Sequence, residues 1–192
     1  MRMENKIKNR LYIIDFETGG LNVYMNPPVS FCMKKYREDF SIYKEFKARG
    51  GIYSMSALEV NQYSIEELQE RGLSTNTVID TIEDLYNHHQ DYIVLAGYNI
   101  DEFDVKILNQ VYREHKMNFP CPILTLDVLE VAKKNIKKRD KRKKEDTGVE
   151  DYSLESVYNF IFEDDVEQAH SADADVRMTE ELLKEFEERE WL

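Results

Sequence analysis

The stretch AHSADADV, residues 169–176, places one histidine and two aspartates just before a run with helical periodicity. On a helix that begins here, Asp175 falls on the apolar, inward face and Asp173 on the charged, outward face. The inward positions are Asp175, Thr179, Leu182, Leu183 and Phe186, and the outward positions are Asp173, Arg177, Glu180, Lys184 and Glu187. A buried carboxylate needs a cation or hydrogen bonds, so Asp175 is the candidate functional aspartate. A lone histidine is more often structural, but His170 precedes this inward carboxylate and is therefore a candidate for chemistry.

A second pair of carboxylates ends the predicted strand RLYIIDFE, residues 10–17. Side chains alternate along a strand, so Ile13, Asp15 and Glu17 share one face. Asp15 and Glu17 then project in the same direction, with their Cα atoms about 6.5–7 Å apart. Strand ends are the usual location of sites in α/β sheets, although the pair alone could equally be exposed turn residues.

The fourth acid lies on the predicted amphipathic helix 100–115. Its apolar stripe runs through Phe103, Ile107, Leu108 and Val111. Asp104 falls in the middle of that stripe, whereas Asp101 lies at its edge and is the better capping candidate. Four converging carboxylates repel one another unless hard divalent cations such as Mg²⁺ or Mn²⁺ bind between them. Two such ions about 3.5–4 Å apart are the usual arrangement for phosphodiester cleavage.

The elements that must position these acids alternate between strands and helices. Strands are predicted at 10–17, 29–36, 41–48 and 92–97, helices at 74–89, 100–115, 153–162 and 173–189, and a strand running into a helix at 122–134. This order indicates an α/β fold with a mixed sheet. We expect one domain over residues 1–192, with 133–151 as a loop or mobile arm within it.

Composition limits the class of protein. The 192 residues carry a net charge of −12, yet nine lysines and arginines fall within 133–144. That basic segment is either a solvated connection or an arm that contacts phosphates. No apolar run approaches the ~18 residues of a membrane helix, and the N-terminus makes a poor signal peptide. We therefore expect a soluble, cytoplasmic protein without a membrane partner, whose Cys32 and Cys121 are buried free thiols.

Three stretches, DFETGGL, GYNIDEFDVKIL and HSADADV, resemble in this order the motifs of DEDDh 3′–5′ exonucleases, the DnaQ-like and RNase T-like superfamily. The resemblance spans residues 10–187. The second motif is one residue longer than the N-x-x-F-D of proofreading subunits and is similar to that of exonuclease I. The family B polymerase exonucleases share the longer form but carry tyrosine in the third motif, where this chain has His170.

The resemblance implies an RNase H-like fold, in which a five-stranded mixed sheet has helices on both sides. It also implies two divalent cations, Mg²⁺ or Mn²⁺. The implied ligands of the first cation are Asp15, Glu17 and Asp175, with Asp15 also touching the second and Asp104 supporting it. The implied general base is His170, and the implied substrate contacts are Thr18, Gly19, Leu21 and Asn99.

The implied activity is hydrolysis of single-stranded DNA from its 3′ end, which releases nucleoside 5′-monophosphates. Two alternatives stay open at this point. An RNA 3′-end trimming enzyme of the RNase T or oligoribonuclease type fits the same motifs, because a preference for the 2′-hydroxyl depends on loop contacts. The other alternative is a non-catalytic binding or proofreading module. The expected partners are nucleic acid and a polymerase or replication protein.

Overall fold

A computed structural model of the chain describes residues 3–139, 148–163 and 171–192. Within them the strands are β1 (Leu11–Thr18), β2 (Pro28–Lys35), β3 (Ser41–Glu45), β4 (Ile93–Gly97) and β5 (Ile123–Asp127). The helices are α1 (Asn5–Lys8), α2 (Met55–Val60), α3 (Ile65–Arg71), α4 (Asn76–His89), α5 (Asp104–Glu114), α6 (Val128–Asn135), α7 (Leu154–Phe162) and α8 (Ala172–Glu188). His170 and residues 140–144 of the basic segment lie outside the described residues.

The five strands form one mixed sheet in the order β3-β2-β1-β4-β5. β2 runs antiparallel to both β1 and β3, whereas β1, β4 and β5 are parallel to one another. This confirms the predicted five-stranded mixed sheet. Because the carboxyl ends of parallel strands meet at one edge, the end of β1 lies beside the segment that joins β4 to α5.

β1 separates two apolar cores, one on each side of the sheet. Ile14 and Phe16 pack on the side covered by α4 and α5, and Ile13 packs on the side covered by α6, α7 and α8. The predicted alternation is therefore correct. It directs Asp15 and Glu17, which follow Ile13 at two-residue spacing, toward the side that carries α8.

The boundaries of two predicted elements differ from the structure by three or more residues, and three helices, α1, α2 and α3, were not assigned from the sequence. α5 begins at Asp104 rather than near residue 100, and β3 ends at Glu45. Helices α2 and α3 occupy residues that sequence reasoning left as a connection. A capping box joins Ser64 to Glu67 at the start of α3, and its S-x-x-E pattern was visible in the sequence.

The outward face predicted for α8 is partly wrong. Glu180 and Glu187 are buried, at 4% and 8% exposure. The β2–β3 turn and α1 cover this flank of the helix and supply donors to both carboxylates. The backbone N–H of Arg37 donates to Glu180 over 2.8 Å, and the Tyr36 hydroxyl donates to Glu187 over 3.0 Å. Lys8 forms an ion pair with Glu187, so α8 is held to α1 by charge as well as to the sheet by apolar contact.

Two smaller expectations concern the thiols and the membrane. Cys32 and Cys121 are both free and buried, as predicted. Among the helices of the described residues, none is long and apolar enough to cross a bilayer.

Candidate active site

Three of the predicted acids lie together at the end of β1. Asp15, Glu17 and Asp175 each offer a carboxylate oxygen, and these oxygens lie within 4.8 Å of one another. Asp15 and Glu17 come from the α8-facing side of β1, and Asp175 comes from the first turn of α8. Asp173 lies in the same turn, forms an ion pair with Arg177 and lines a separate cavity beside Cys32, where its side chain is 38% exposed. Among the described residues the carboxylate cluster therefore includes Asp175 and not Asp173, although Asp173 does not face water fully as its helical phase predicted.

Asp104 approaches the end of β1 from the other side. Its side chain is 1% exposed, and its Oδ1 accepts a hydrogen bond of 2.9 Å from the backbone N–H of Phe16. This N–H is available because β1 pairs with β4 only through residues 11–13. The other oxygen, Oδ2, is buried without a hydrogen-bond partner among the described residues. One carboxylate oxygen is therefore used by the backbone, and the other remains for a ligand.

The pKa values of these acids reflect their crowding. Burial raises the pKa of Asp15 well above its ordinary value, and the charges of Asp104, Asp175 and Glu17 raise it further. Burial and the charge of Glu17 raise the pKa of Asp175 to about 7. Burial also raises the pKa of Asp104 well above its ordinary value, against hydrogen bonds that lower it. Within the described residues, no cationic side chain lowers the pKa of Asp15 or Asp175.

The donor set fits divalent cations. All its ligand atoms are carboxylate oxygens, which hard cations such as Mg²⁺ and Mn²⁺ prefer. Positive charge between the carboxylates would relieve the repulsion that raises their pKa values. The unpartnered Oδ2 of Asp104 is a further free acceptor at the same strand end. The residues that could hold cations are therefore Asp15, Glu17, Asp104 and Asp175.

A cleft of about 600 Å³ opens beside Glu17. It is lined by Glu17, Thr18, Gly20, Leu21, Asn22, Asn26, Ser54, Ser56, Ala57, Val60, Asn61 and Phe103. Of the predicted substrate contacts, Thr18 and Leu21 line the cleft, and Leu21 is 93% exposed. Gly19 lies behind it against Tyr53, where an added Cβ would come within 2.7 Å of the ring.

Asn99 is placed differently from the other predicted contacts. It adopts a left-handed backbone conformation with φ of 63°, and its N–H donates to Oδ1 of Asp127 over 3.1 Å. It is not among the residues that line the cleft. The structure instead puts it at the turn after β4, against the end of β5.

Sequence reasoning missed the wall of the cleft that α2 provides. Ala57 and Val60 belong to this helix, and Asn61, which ends it, donates from Nδ2 to the Thr18 carbonyl over 3.2 Å. No chemical motif marks these residues. His170 directly precedes Ser171, the N-cap of α8, and lies outside the described residues.

The chain matches a protein-family model over most of its length. The family model described as "RNase_T: Exonuclease" matches residues 12–183. This match confirms the resemblance that the three motifs carry. No curated protein sequence matches the chain.

Solved structures of exonuclease I are similar to the chain in fold. The E. coli enzyme in complex with a dT13 oligonucleotide has a TM-score of 0.73 at 16% identity, covering 94% of this chain and 41% of that one. The same enzyme with a dA16 oligonucleotide has a TM-score of 0.70 at 15% identity, covering 93% and 40%. Exonuclease I from Methylocaldum szegediense has a TM-score of 0.69 at 20% identity, with coverage of 93% and 40%. The RNase H-like exonuclease fold is thereby confirmed, and the chain spans about 40% of the length of these structures.

Proposed function

Because the chain belongs to the RNase T exonuclease family, we propose that it hydrolyses single-stranded DNA from the 3′ end and releases nucleoside 5′-monophosphates. The observation that carries this proposal is the convergence of the Asp15, Glu17 and Asp175 carboxylates within 4.8 Å at a strand end. Asp104 adds a buried, unpartnered oxygen to the same strand end. A cleft large enough for a nucleotide opens directly beside these acids.

The four acids would hold two divalent cations, Mg²⁺ or Mn²⁺. Asp15, Glu17 and Asp175 would hold the first, and Asp104 together with Asp15 would support the second. When bound, such a pair would supply an activated water molecule and positive charge for the leaving 3′ oxygen. Asp104 also holds the end of β1 through the Phe16 N–H, so the spacing between Asp15 and Asp104 is set by the backbone.

His170 is the general base and takes the proton of the attacking water on a ring nitrogen. Its ordinary pKa of ~6.5 leaves the imidazole largely neutral at physiological pH. Its place in the third motif, five residues before Asp175 in the sequence, supports this role.

The terminal nucleotide occupies the cleft beside Glu17. The exposed Leu21 side chain offers an apolar surface to the base, and Phe103 and Val60 lie across the same cleft. The comparison structures of exonuclease I with dT13 and dA16 favour single-stranded DNA as the polymer.

A gel time course tests the proposal on 5′-labelled single-stranded DNA and RNA of identical sequence, with Mg²⁺, Mn²⁺ or EDTA. We expect a metal-dependent ladder on DNA that shortens from the 3′ end. The ladder is lost in Asp175→Ala and kept in the matched control Asp173→Ala, which removes a carboxylate from the same helical turn. Faster shortening of RNA would assign the chain to RNA 3′-end trimming, and no shortening of either polymer would contradict an exonuclease.

A further inference from the structure

A second groove runs along the outer surface of α5, with a volume of about 510 Å³. It is lined by Tyr24, Lys106, Asn109, Gln110, Arg113 and Glu114. The five helical residues follow the spacing i, i+3, i+4, i+7, i+8 and so form one polar stripe. Tyr24 closes the groove from the loop between β1 and β2. The proposed chemistry uses none of these residues.

The groove adjoins the cleft at two points. In the loop after β1, Asn22 lines the cleft and Tyr24 lines the groove. Phe103, which directly precedes α5, lines the cleft, and Lys106, in the first turn of α5, lines the groove. From Asp104 to Arg113 the helix rises by about 13 Å. A strand whose 3′ end occupies the cleft can therefore continue along this stripe.

The charge of the groove suits phosphate. Arg113 is exposed and has no ion-pair partner among the described residues. Lys106 forms an ion pair with Glu102, whose side chain is 72% exposed. Glu114 is paired with Arg49 at 2.5 Å, so the one acid of the groove is already neutralised. The groove thus offers a cation, Arg113, that is unpaired within the described residues, on a chain whose net charge is −12.

Another cavity, of about 460 Å³ beside Cys32 and Asp173, has no unpaired cation among its described lining residues. Its two cations are both engaged by acids. Arg177 pairs with Asp173, and Lys34 lies 3.6 Å from the buried Glu180. Asp39 adds another negative charge to the lining. Of the two cavities, the α5 groove is the one that offers an uncommitted cation.

The remaining groups of the groove suit a nucleobase. Tyr24 is 70% exposed, so its ring is available for stacking. Oε1 of Gln110 is buried without a hydrogen-bond partner among the described residues. Proteins that hold single strands combine cations that track the backbone with exposed aromatic rings on which bases stack.

We propose that this groove is an upstream subsite, which binds nucleotides on the 5′ side of the scissile bond. Arg113 and Lys106 contact backbone phosphates, and Tyr24 stacks on a base. The inference rests on the proposed function, because it takes the cleft as the seat of the terminal nucleotide.

Binding of 3′-end-matched dT12 and dT2, each labelled with fluorescein at the 5′ end, tests the subsite, with Ca²⁺ replacing Mg²⁺ to permit binding without turnover. The chain should bind dT12 more tightly than dT2, because a dinucleotide whose 3′ end occupies the cleft spans less than the rise of about 13 Å to Arg113. In Arg113→Ala we expect the Kd for dT12 to rise about tenfold, as one charge-assisted phosphate contact is lost. The dependence of log Kd on log salt should become shallower by about 0.7. Arg113→Lys, which retains the charge, should keep most of the affinity.

Arg189→Ala is the matched control, since it removes an exposed arginine from the end of α8, on the opposite side of the sheet. Its affinity for dT12 should equal that of the wild-type chain. Equal Kd values for dT12 in the wild-type chain and Arg113→Ala would overturn the subsite. Length-dependent binding through Arg113 without hydrolysis in Mg²⁺ or Mn²⁺ would support the subsite and contradict the exonuclease proposal. Hydrolysis of DNA together with a Kd for dT12 that does not change in Arg113→Ala would support the exonuclease proposal and contradict the subsite.

Discussion

The backbone N–H of Phe16 donates a hydrogen bond of 2.9 Å to Oδ1 of Asp104, which joins the end of β1 to the first residue of α5. The same carboxylate presents Oδ2, buried and unpartnered among the described residues, at the end of the strand that carries Asp15 and Glu17. One side chain therefore has a structural oxygen and a free oxygen. Two substitutions can separate these roles.

Asp104→Asn keeps an oxygen acceptor for Phe16 but removes the negative charge. We expect a higher Tm in EDTA, because repulsion among the buried acids falls. We also expect a smaller Mn²⁺-induced rise in Tm and a loss of activity of about 100-fold. Asp104→Ala instead leaves the Phe16 N–H unpaired and should cost about 1–3 kcal/mol of stability. Thermal melts with and without Mn²⁺ check both variants, and an unchanged Mn²⁺ response in Asp104→Asn would exclude Asp104 as a ligand.

His170→Ala should lose activity by about 10²–10⁴-fold, because the water's proton then has no side-chain acceptor. The Mn²⁺-induced rise in Tm should remain, since the carboxylates are untouched. His88→Ala on α4 is the control, because His88 is an exposed histidine that precedes no inward carboxylate. Near-full activity of His170→Ala on the DNA ladder would contradict the assignment of the base.

Gly97→Ala should destabilise the strand end that carries the site. A Cβ at this position would lie 3.0 Å from the Ile14 carbonyl and 3.0 Å from the Ile100 side chain. Because the Ile14 carbonyl belongs to β1, relief requires a backbone shift next to Asp15. We expect a loss of about 1–3 kcal/mol, measured by urea unfolding. Gly50→Ala, whose Cβ would meet nothing within 4 Å, should cost far less, and equal losses in the two variants would rule out this explanation.

The ionic contacts that hold α8 are tested by Glu187→Gln. The measured quantity is the Tm of this variant and of the wild-type chain as a function of pH. Burial raises the pKa of Glu187, but hydrogen bonds from Lys8 and Tyr36 outweigh it and bring the pKa below its ordinary value. A carboxyl with a lowered folded pKa stabilises the fold above its unfolded pKa of about 4.3. This stabilisation is lost as the pH falls through the folded pKa.

At pH 7, Glu187→Gln should therefore lower the Tm by about 3–6 °C, as a charged hydrogen bond is lost. The difference from the wild-type chain should shrink as the pH falls from about 5 to 3. Glu188→Gln alters the exposed neighbour and should change the Tm little at any pH. A difference that stays constant with pH would show that the charge of Glu187 does not stabilise α8.

Much of the fold and of the candidate site follows from local periodicity. Two-residue alternation places Asp15 and Glu17 on one face of β1, and the 3.6-residue helical repeat separates Asp175 from Asp173. These predictions succeed because the direction of a side chain relative to its own element depends on backbone geometry alone. The order of strands and helices likewise predicted the mixed sheet.

What lies opposite each face depends on chain segments far away in sequence, and periodicity carries no information about them. The helical periodicity predicted that Glu180 and Glu187 face solvent. The β2–β3 turn and α1 bury them instead and supply their hydrogen-bond donors. The Asp104–Phe16 hydrogen bond joins residues 88 apart and exists only because β4 stops pairing with β1 before Phe16. The helix α2 completes the cleft, and Tyr24 completes the α5 groove, through contacts of the same long-range kind. The sequence by itself therefore determined which acids point together, and the tertiary structure decided which other surfaces surround them, because burial is a property of two packed elements rather than of one.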